Sequence, residues 1–440
     1  MKKLICTVLL LSTLLSLNSC IFRFDDPAVT TDGATRNEPN QTSDAQGDTA
    51  SSDTDSTPSP VTDTPTSDTP VTEPPTPNPQ EKRISFLACG DNVGHDSVLA
   101  DAKKRATAQS YPYNFAPMYD GILPLLQSTD IKFINQETIT GDEKYGYHGY
   151  PSFNTPQDMG RTLVDLGFDV VNIASNHMLD MKAACLTSAI RFWKSQNSVL
   201  MIGGYENQTD FDTVRVFNYE GIRIAFLSYT YGTNGYTLDA GSSLIIPYIN
   251  EADIRRQVAA AKSQADLVFV SMHWGTDSSL TVTNEQKKYA AILAELNVDV
   301  VIGHHSHTLQ DMEWKDGTNG HKTLVIYSLG NLLHSMYYDT QYTPNYSFLV
   351  GGIATFDIVK KADGTLTVEN PMYRPTVCHY TKDPTGAYHA ANFQIYELKD
   401  YTQELCAQHG ALVQHKFNLD DLYAYVRKQV SPEFLPAEYR

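Results

Sequence analysis

The chain has 440 residues, 41% of them hydrophobic, and carries 51 acidic against 33 basic side chains for a formal net charge of -18. That balance excludes a basic nucleic-acid-binding surface, so no nucleic-acid partner is expected. The length allows one large domain, or a large and a small one, behind a long N-terminal leader.

The leader comes first. Lys2 and Lys3 precede a mostly apolar run from Leu4 to Leu17, and Leu17-Asn18-Ser19-Cys20 closes it. This is signal-peptide grammar over residues 1–20, and its end resembles a bacterial lipobox. Cys20 is then the lipidated first residue of the mature protein, held to the extracytoplasmic face of the cell membrane without spanning it. An uncleaved anchor helix gives the same topology. Residues 21–82 are rich in Thr, Ser, Asp and Pro, with almost no large apolar side chains after Phe24. Such a segment buries too little to offset its ordering entropy and reads as a disordered tether, stiffened by its prolines. Of the six cysteines, Cys6 leaves with the signal and Cys20 takes the lipid. Cys89, Cys185, Cys378 and Cys406 fit neither a zinc pattern nor a compact disulfide framework. Cys89 reads as buried, and pairing of Cys378 with Cys406 stays open.

The folded part opens with an apolar strand, Ile84 to Gly90. A helix is expected over 115–128 and a second strand from Ile131. Another helix spans Thr155 to Leu166, with Thr155 as N-cap and Pro156 in its first position. Then follow a strand in FDVVNIAS, a helix from Met181 to Gln196, the strand IRIAFLSYT, a helix over Ala252–Gln264 and the strand ADLVFVSM. A helix over Asn284–Leu296 and the strands VDVVIG and TLVIYSLG end the series. Helices between short, continuously apolar strands predict an α/β protein whose sheets are covered on both faces. After His334 the pattern alternates around an Asp363-Gly364 turn and reads as hairpins. Residues 83–345 thus form the main domain. Residues 346–440 complete it with β structure or make a small C-terminal lobe, with a last helix over Leu419–Val430.

Seven apolar runs end in polar groups: Asp91, Glu137, Asn176 with His177, the Tyr229–Gly232 turn, His273, the His304–His307 turn, and Asn331. Ligands of open α/β sheets sit beyond the carboxyl ends of the strands. Carboxylates at Asp91 and Glu137, an amide oxygen at Asn176 and imidazoles at His273, His305 and His307 suit zinc, manganese or iron, and a bridging carboxylate can hold two ions. In an extended backbone His305 and His307 point the same way, and His304 points elsewhere as a supporting or packing residue. His177 is a candidate acid or electrostatic clamp. Asp180, three residues on, can fix its tautomer. Tyr229, Trp274 and Asn331 read as rim groups or as structural ones, and Arg161 as a candidate partner for an anionic substrate. The competing reading is ordinary loop polarity.

The stretches CGDNVGHD from Cys89, NQET from Asn135, NIASNHMLD from Asn172, SMHWG from Ser271, GHHSHTLQ from Gly303 and YSLGN from Tyr327 carry a family likeness. Over residues 83 to about 335 the chain resembles the poly-gamma-glutamate capsule-biosynthesis, or CapA-like, proteins, which look like relatives of the calcineurin-like metallophosphoesterases. The resemblance implies an α/β/β/α sandwich of the metallophosphoesterase-like type with a β-rich C-terminal section. It implies that Asp91 and His307 bind a first ion, that Glu137 bridges, and that Asn176, His273 and His305 bind a second. His177, oriented by Asp180, would sit over the substrate group. One departure matters: phosphoesterases open with Asp-x-His, whereas position 93 is valine and the nearest histidine is His95. One or two divalent ions (Mn, Zn or Fe) are therefore open. The implied function is an envelope-anchored metal-dependent hydrolase of capsule or envelope polymer, cleaving an amide or a phosphoester. The implied partners are an anionic polymer or peptide substrate and capsule-synthesis machinery. The rival is a non-catalytic accessory factor that binds and guides such a polymer.

Overall fold

The computed structural model describes residues 81–336 and 345–440. The signal peptide, the lipobox cysteine and the tether as far as residue 80 lie outside the described residues.

Two sheets form the centre. The first takes β1 (Lys82–Asn92), β2 (Ile131–Gln136), β3 (Val170–Asn172) and β4 (Leu200–Ile202) in parallel order. The second takes β5 (Arg215–Tyr219), β6 (Ile222–Thr230), β7 (Leu267–His273), β8 (Val300–His304), β9 (Leu309–Asp316) and β10 (Lys322–Leu329). Its order is β5-β6-β7-β8-β10-β9, parallel from β6 to β10 and antiparallel at both edges. A short β11 (Asn331–Leu333) crosses back to pair with the end of β1. Then β12 (Val350–Lys360), β13 (Leu366–Lys382) and β14 (Ala390–Glu397) extend the first sheet antiparallel from the free side of β1. The β12–β13 hairpin turns at Gly364, whose φ of 89° suits glycine.

The apolar runs are continuous because both faces of the parallel strands are buried. In the second sheet Ile224, Phe226, Leu267, Phe269, Val300 and Ile302 face the first sheet. Their neighbours Ala225, Leu227, Val268, Val270 and Val301 face the helices Glu251–Lys262 and Asn284–Glu295. Between the sheets Phe86 stacks on Phe356 at 4.7 Å and meets Phe269 edge-on at 5.3 Å. With the helices Gln157–Asp165 and Lys182–Lys194 packed on the first sheet, the layers run α/β/β/α. Truncating Phe86 to alanine should cost about 3–5 kcal/mol.

Several expected elements change in detail. The helix expected over 115–128 is a 3-10 turn at Ala116–Tyr119 and a short helix at Leu123–Gln127. Pro117, Gly121 and Pro124 interrupt it, because proline cannot continue the hydrogen-bond ladder. Pro156, not Thr155, is the N-cap of the next helix, and the Thr155 hydroxyl bonds Thr138 at 2.8 Å. Cys378 and Cys406 are both buried and unpaired. The helix Asn284–Glu295 starts from a Thr283/Gln286 capping box, and the last helix is Leu419–Gln429. Among the described residues, no helix is long and apolar enough to cross a membrane.

Candidate metal centre

The parallel strands of both sheets point their carboxyl ends the same way. Asp91 ends β1, Glu137 follows β2, His273 ends β7, and the His305–His307 turn follows β8. Gly90 permits this closure: a Cβ there would lie 2.1 Å from the Gly330 carbonyl, and the Asp91 amide donates to that same oxygen at 2.9 Å.

Two ligand sets converge, each with ligand atoms within 4.8 Å of one another: Glu137, His273 and His305, and Asp91, Glu137 and His307. Glu137 belongs to both. Its Oε1 lies 3.5 Å from His307 Nε2 and 3.9 Å from both His273 Nε2 and His177 Nε2. These separations are too long for hydrogen bonds. They suit donors that each reach about 2.0–2.2 Å to a shared ion. Both Glu137 oxygens, His273 Nδ1 and His305 Nδ1 are buried without a hydrogen-bond partner. Buried polar groups are almost always satisfied, so a carboxylate with two orphaned oxygens among these imidazoles marks a missing partner. The donor set therefore fits one or two divalent cations.

Electrostatics agree. Burial opposes ionisation of Asp91, but the adjacent imidazoles of His304 and His307 hold it well below the usual carboxylate range. Burial drives Glu137 well above that range, with only partial relief from His307 and added repulsion from Asp91 and Asp277. Burial also opposes the charge on His307, yet Glu137 and Asp91 lift it to about 10. Burial and the adjacent His307 lower His305 to about 3, and burial with His305 lowers His273 well below the ordinary histidine value. His307 and Asp91 thus support each other's charged forms, whereas Glu137 resists ionisation in the absence of a further positive charge.

The surrounding groups hold the ligands in place. Asp91 Oδ1 accepts from Asn135 at 2.8 Å, and Asn172 supports Asn135 at 2.7 Å. Ser175 Oγ donates to the Glu137 carbonyl at 2.6 Å. His307 Nδ1 lies 3.0 Å from Asn331 Oδ1 and 3.2 Å from Asp91 Oδ2. Asn176 Oδ1 is 2.8 Å from His273 Nε2. His177 Nδ1 meets Asp180 Oδ2 at 2.7 Å, which turns Nε2 toward Glu137. The two residues meet on irregular turns, before the helix that begins at Lys182.

Two expectations change here, for the His305–His307 backbone and for Arg161, and Tyr229 and Trp274 take the structural one of their two readings. His305 and His307 are not on extended backbone; both have positive φ, 94° and 57°. They converge through a tight turn, while His304 stays in β8, stacked on Phe133 and 3.4 Å from Asp91 Oδ1. Tyr229 faces the helix layer and bonds Gln257 at 2.6 Å. Trp274 is buried with its indole N–H on the Tyr327 carbonyl. Strand alternation sends both away from the cleft. Arg161 pairs with Asp158 at 2.6 Å and stacks on Phe192, outside the cluster.

Three contributors were not singled out in the sequence, although Tyr231 lies within the Tyr229–Gly232 turn. Tyr231 lays its ring 4.4 Å from that of His305. Asn234 accepts from Asn176 at 3.1 Å. Phe153 meets His177 edge-on at 4.7 Å. Only the position of Tyr231, just past a strand end, offered a signal.

The fold and this rim define a layered α/β protein with a candidate divalent-metal centre between its two sheets. Residues 85–336, more than half of the chain, match the family model described as bacterial capsule synthesis protein PGA_cap, and the chain belongs to that family. It is 27% identical over 180 residues to the PGA biosynthesis protein CapA of Bacillus subtilis (strain 168), covering 41% of this chain and 46% of that protein. It is 29% identical over 178 residues to the capsule biosynthesis protein CapA of Bacillus anthracis, covering 39% and 42%. The matched region thus spans less than half the length of either relative. Among solved structures it is similar to the calcineurin-like phosphoesterase YfkN from Bacillus subtilis, with 10% identity, 79% of this chain and 97% of that chain covered, and a TM-score of 0.38.

Proposed function

We propose that this protein is a metal-dependent hydrolase of capsule or envelope polymer, tethered through a lipid on Cys20 at the extracytoplasmic face of the membrane. The observation that carries the reading is Glu137: a carboxylate with both oxygens buried and partnerless between two ligand sets. A divalent ion held there supplies Lewis acidity and eases deprotonation of water near neutral pH. The chain's own residues supply the rest. Asp180 accepts from His177 Nδ1, so Nε2 is the nitrogen that faces the centre; as the imidazolium, with Asp180 balancing its charge, His177 can give its Nε2 proton to the leaving atom and is left neutral with its proton on Nδ1. Phe153 and Tyr231 flank the histidines. β1 begins at Lys82, where the leader joins, and ends at the rim. At about 3.3 Å per residue, roughly 30 Å separate the two ends, so the centre opens away from the tether junction.

Capsule polymer is the substrate class that the family suggests, and both amide and phosphoester bonds suit the site. The test loads the full chain with Mn2+ or Zn2+ and assays poly-gamma-glutamate, a gamma-glutamyl amide and bis-p-nitrophenyl phosphate. Turnover of one of them, reduced about 100- to 10,000-fold in His177→Ala, is the expected result. The accessory-factor reading draws on Val93, which is buried where a phosphoesterase places a ligand histidine. Polymer bound by the loaded protein with no turnover of any of the three would select it.

A further inference from the structure

His95 has no part in either ligand set, and its place in the fold is unusual. It is the N-cap of the helix Asp96–Lys104, with extended backbone (φ -69°, ψ 159°), yet its side chain makes no capping bond. N-caps favour Ser, Thr, Asp or Asn because their oxygens satisfy the first helical amides. Here Nδ1 instead accepts the backbone N–H of Ser335 at 3.1 Å, from a segment 240 residues away. The Ser335 hydroxyl is held in turn by Ser97 at 2.6 Å and His389 Nε2 at 2.5 Å. The turn before His95 is equally fixed. A Cβ on Gly94 would lie 2.3 Å from Thr155 Oγ1, and the Gly94 amide donates to Thr138 at 3.0 Å.

This anchoring favours one tautomer. With Nδ1 as acceptor, the proton of the neutral ring sits on Nε2, which is therefore a donor. The ring is half-buried, whereas Phe153, Ser97 and Ser335 around it are fully buried. Phe153 meets His95 edge-on at 5.3 Å and His177 edge-on at 4.7 Å, so the two imidazoles flank one phenyl ring beside the metal centre. A residue that abandons its local role for a rigid, remotely fixed donor beside a candidate active site marks a functional position.

We propose that His95 is a substrate-binding residue rather than a metal ligand: its Nε2–H donates to a non-bridging oxygen of the group undergoing attack. The inference rests on the hydrolase reading above. It answers the Val93 departure, because the histidine displaced from the ligand set binds the substrate from the side, as a pre-aligned donor.

The test uses the full chain, its His95→Ala and His95→Gln variants, Mn2+ alone, and then inorganic phosphate added to the Mn2+-loaded protein. Calorimetry should show Mn2+ stoichiometry unchanged and affinity within about twofold in both variants. Phosphate affinity should fall about 10- to 100-fold in His95→Ala, as for loss of a hydrogen bond to a charged group, and recover in part in His95→Gln. Long-range 1H–15N correlation of histidine-labelled protein should show His95 protonated on Nε2, with or without metal. Loss of Mn2+ uptake in the variants would make His95 a ligand and overturn the proposal. So would unchanged phosphate affinity in His95→Ala, or a proton on Nδ1. A parent chain that takes Mn2+ but no phosphate also overturns it while leaving the metal centre standing. A parent chain that takes no Mn2+ defeats the hydrolase reading and this proposal with it.

Discussion

Two regions of this molecule bury histidines, and they do so on opposite terms. In the C-terminal antiparallel section, His409 engages both ring nitrogens, with Nδ1 accepting from the Ala411 amide at 3.1 Å and Nε2 on the Cys378 carbonyl at 3.2 Å. His379 Nδ1 meets the Tyr401 hydroxyl at 2.7 Å. At the rim of the parallel strands, His273 and His305 each keep a buried nitrogen without a partner, beside a carboxylate that has none at all. Burial and residue type are alike in the two regions. What marks a histidine that waits for a cation is a place in a ligand set around a partnerless carboxylate; His304 and His334 also keep unbonded ring nitrogens but belong to neither set.

Substitutions should break the comparison in opposite directions. The largest effect is expected for Glu137→Gln, which removes a ligand from both sets. Mn2+ affinity by calorimetry should drop at least about 100-fold, since even a partner one step removed from a ligand is worth about 10- to 100-fold. The chelated variant should be as stable as the parent, or more stable by about 1–3 kcal/mol, because a partnerless buried carboxylate is gone. His409→Ala should do the reverse, costing about 2–3 kcal/mol in urea unfolding with Mn2+ affinity unchanged. If Glu137→Gln unfolds the chelated protein, or His409→Ala loses metal, the division between the regions is wrong. Asp180→Asn should leave metal content intact and slow turnover about 10-fold or more through the misplaced His177 tautomer.

The smallest effect is on pH dependence. Burial holds His379 at about 4, and burial with His379 nearby holds His409 at about 3. In the unfolded chain both titrate near 6.5, so below that pH the unfolded state takes up protons first. The stability gained by keeping them neutral is complete above about pH 6.5 and is lost progressively as the pH falls toward 4 and then 3. The Tm of the chelated protein should decline across that window, and His379→Gln should make the decline shallower. A slope unchanged by this variant would remove His379 from the account.

Much of the rim was legible because the chemistry sits where apolar runs stop. Asp91, Glu137, His273, His305 and His307 each follow a buried strand, and the structure gathers all five. The strands of 11 residues were less legible at their ends, and β4, β5, β9 and β11 escaped notice. β9 is half-buried, with the mixed sequence LQDMEWKD, so it lacks the continuous run of a strand covered on both faces. The place of β1, parallel to β2 and antiparallel to β12 from a segment more than 250 residues later, depends on non-local pairing that periodicity does not encode. Tyr229 and Tyr231 show the limit at single residues. The two are two apart, yet one ends inside the helix layer and the other over His305, because the strand ends between them at Thr230.

The most direct test is anomalous diffraction at the manganese edge from crystals soaked in Mn2+. The account predicts a peak about 2.0–2.4 Å from a Glu137 carboxylate oxygen, flanked by His273 and His305, with a second peak, where two ions bind, on the side of Asp91 and His307. Manganese bound only elsewhere on the surface, with Glu137 still without a partner, would contradict it.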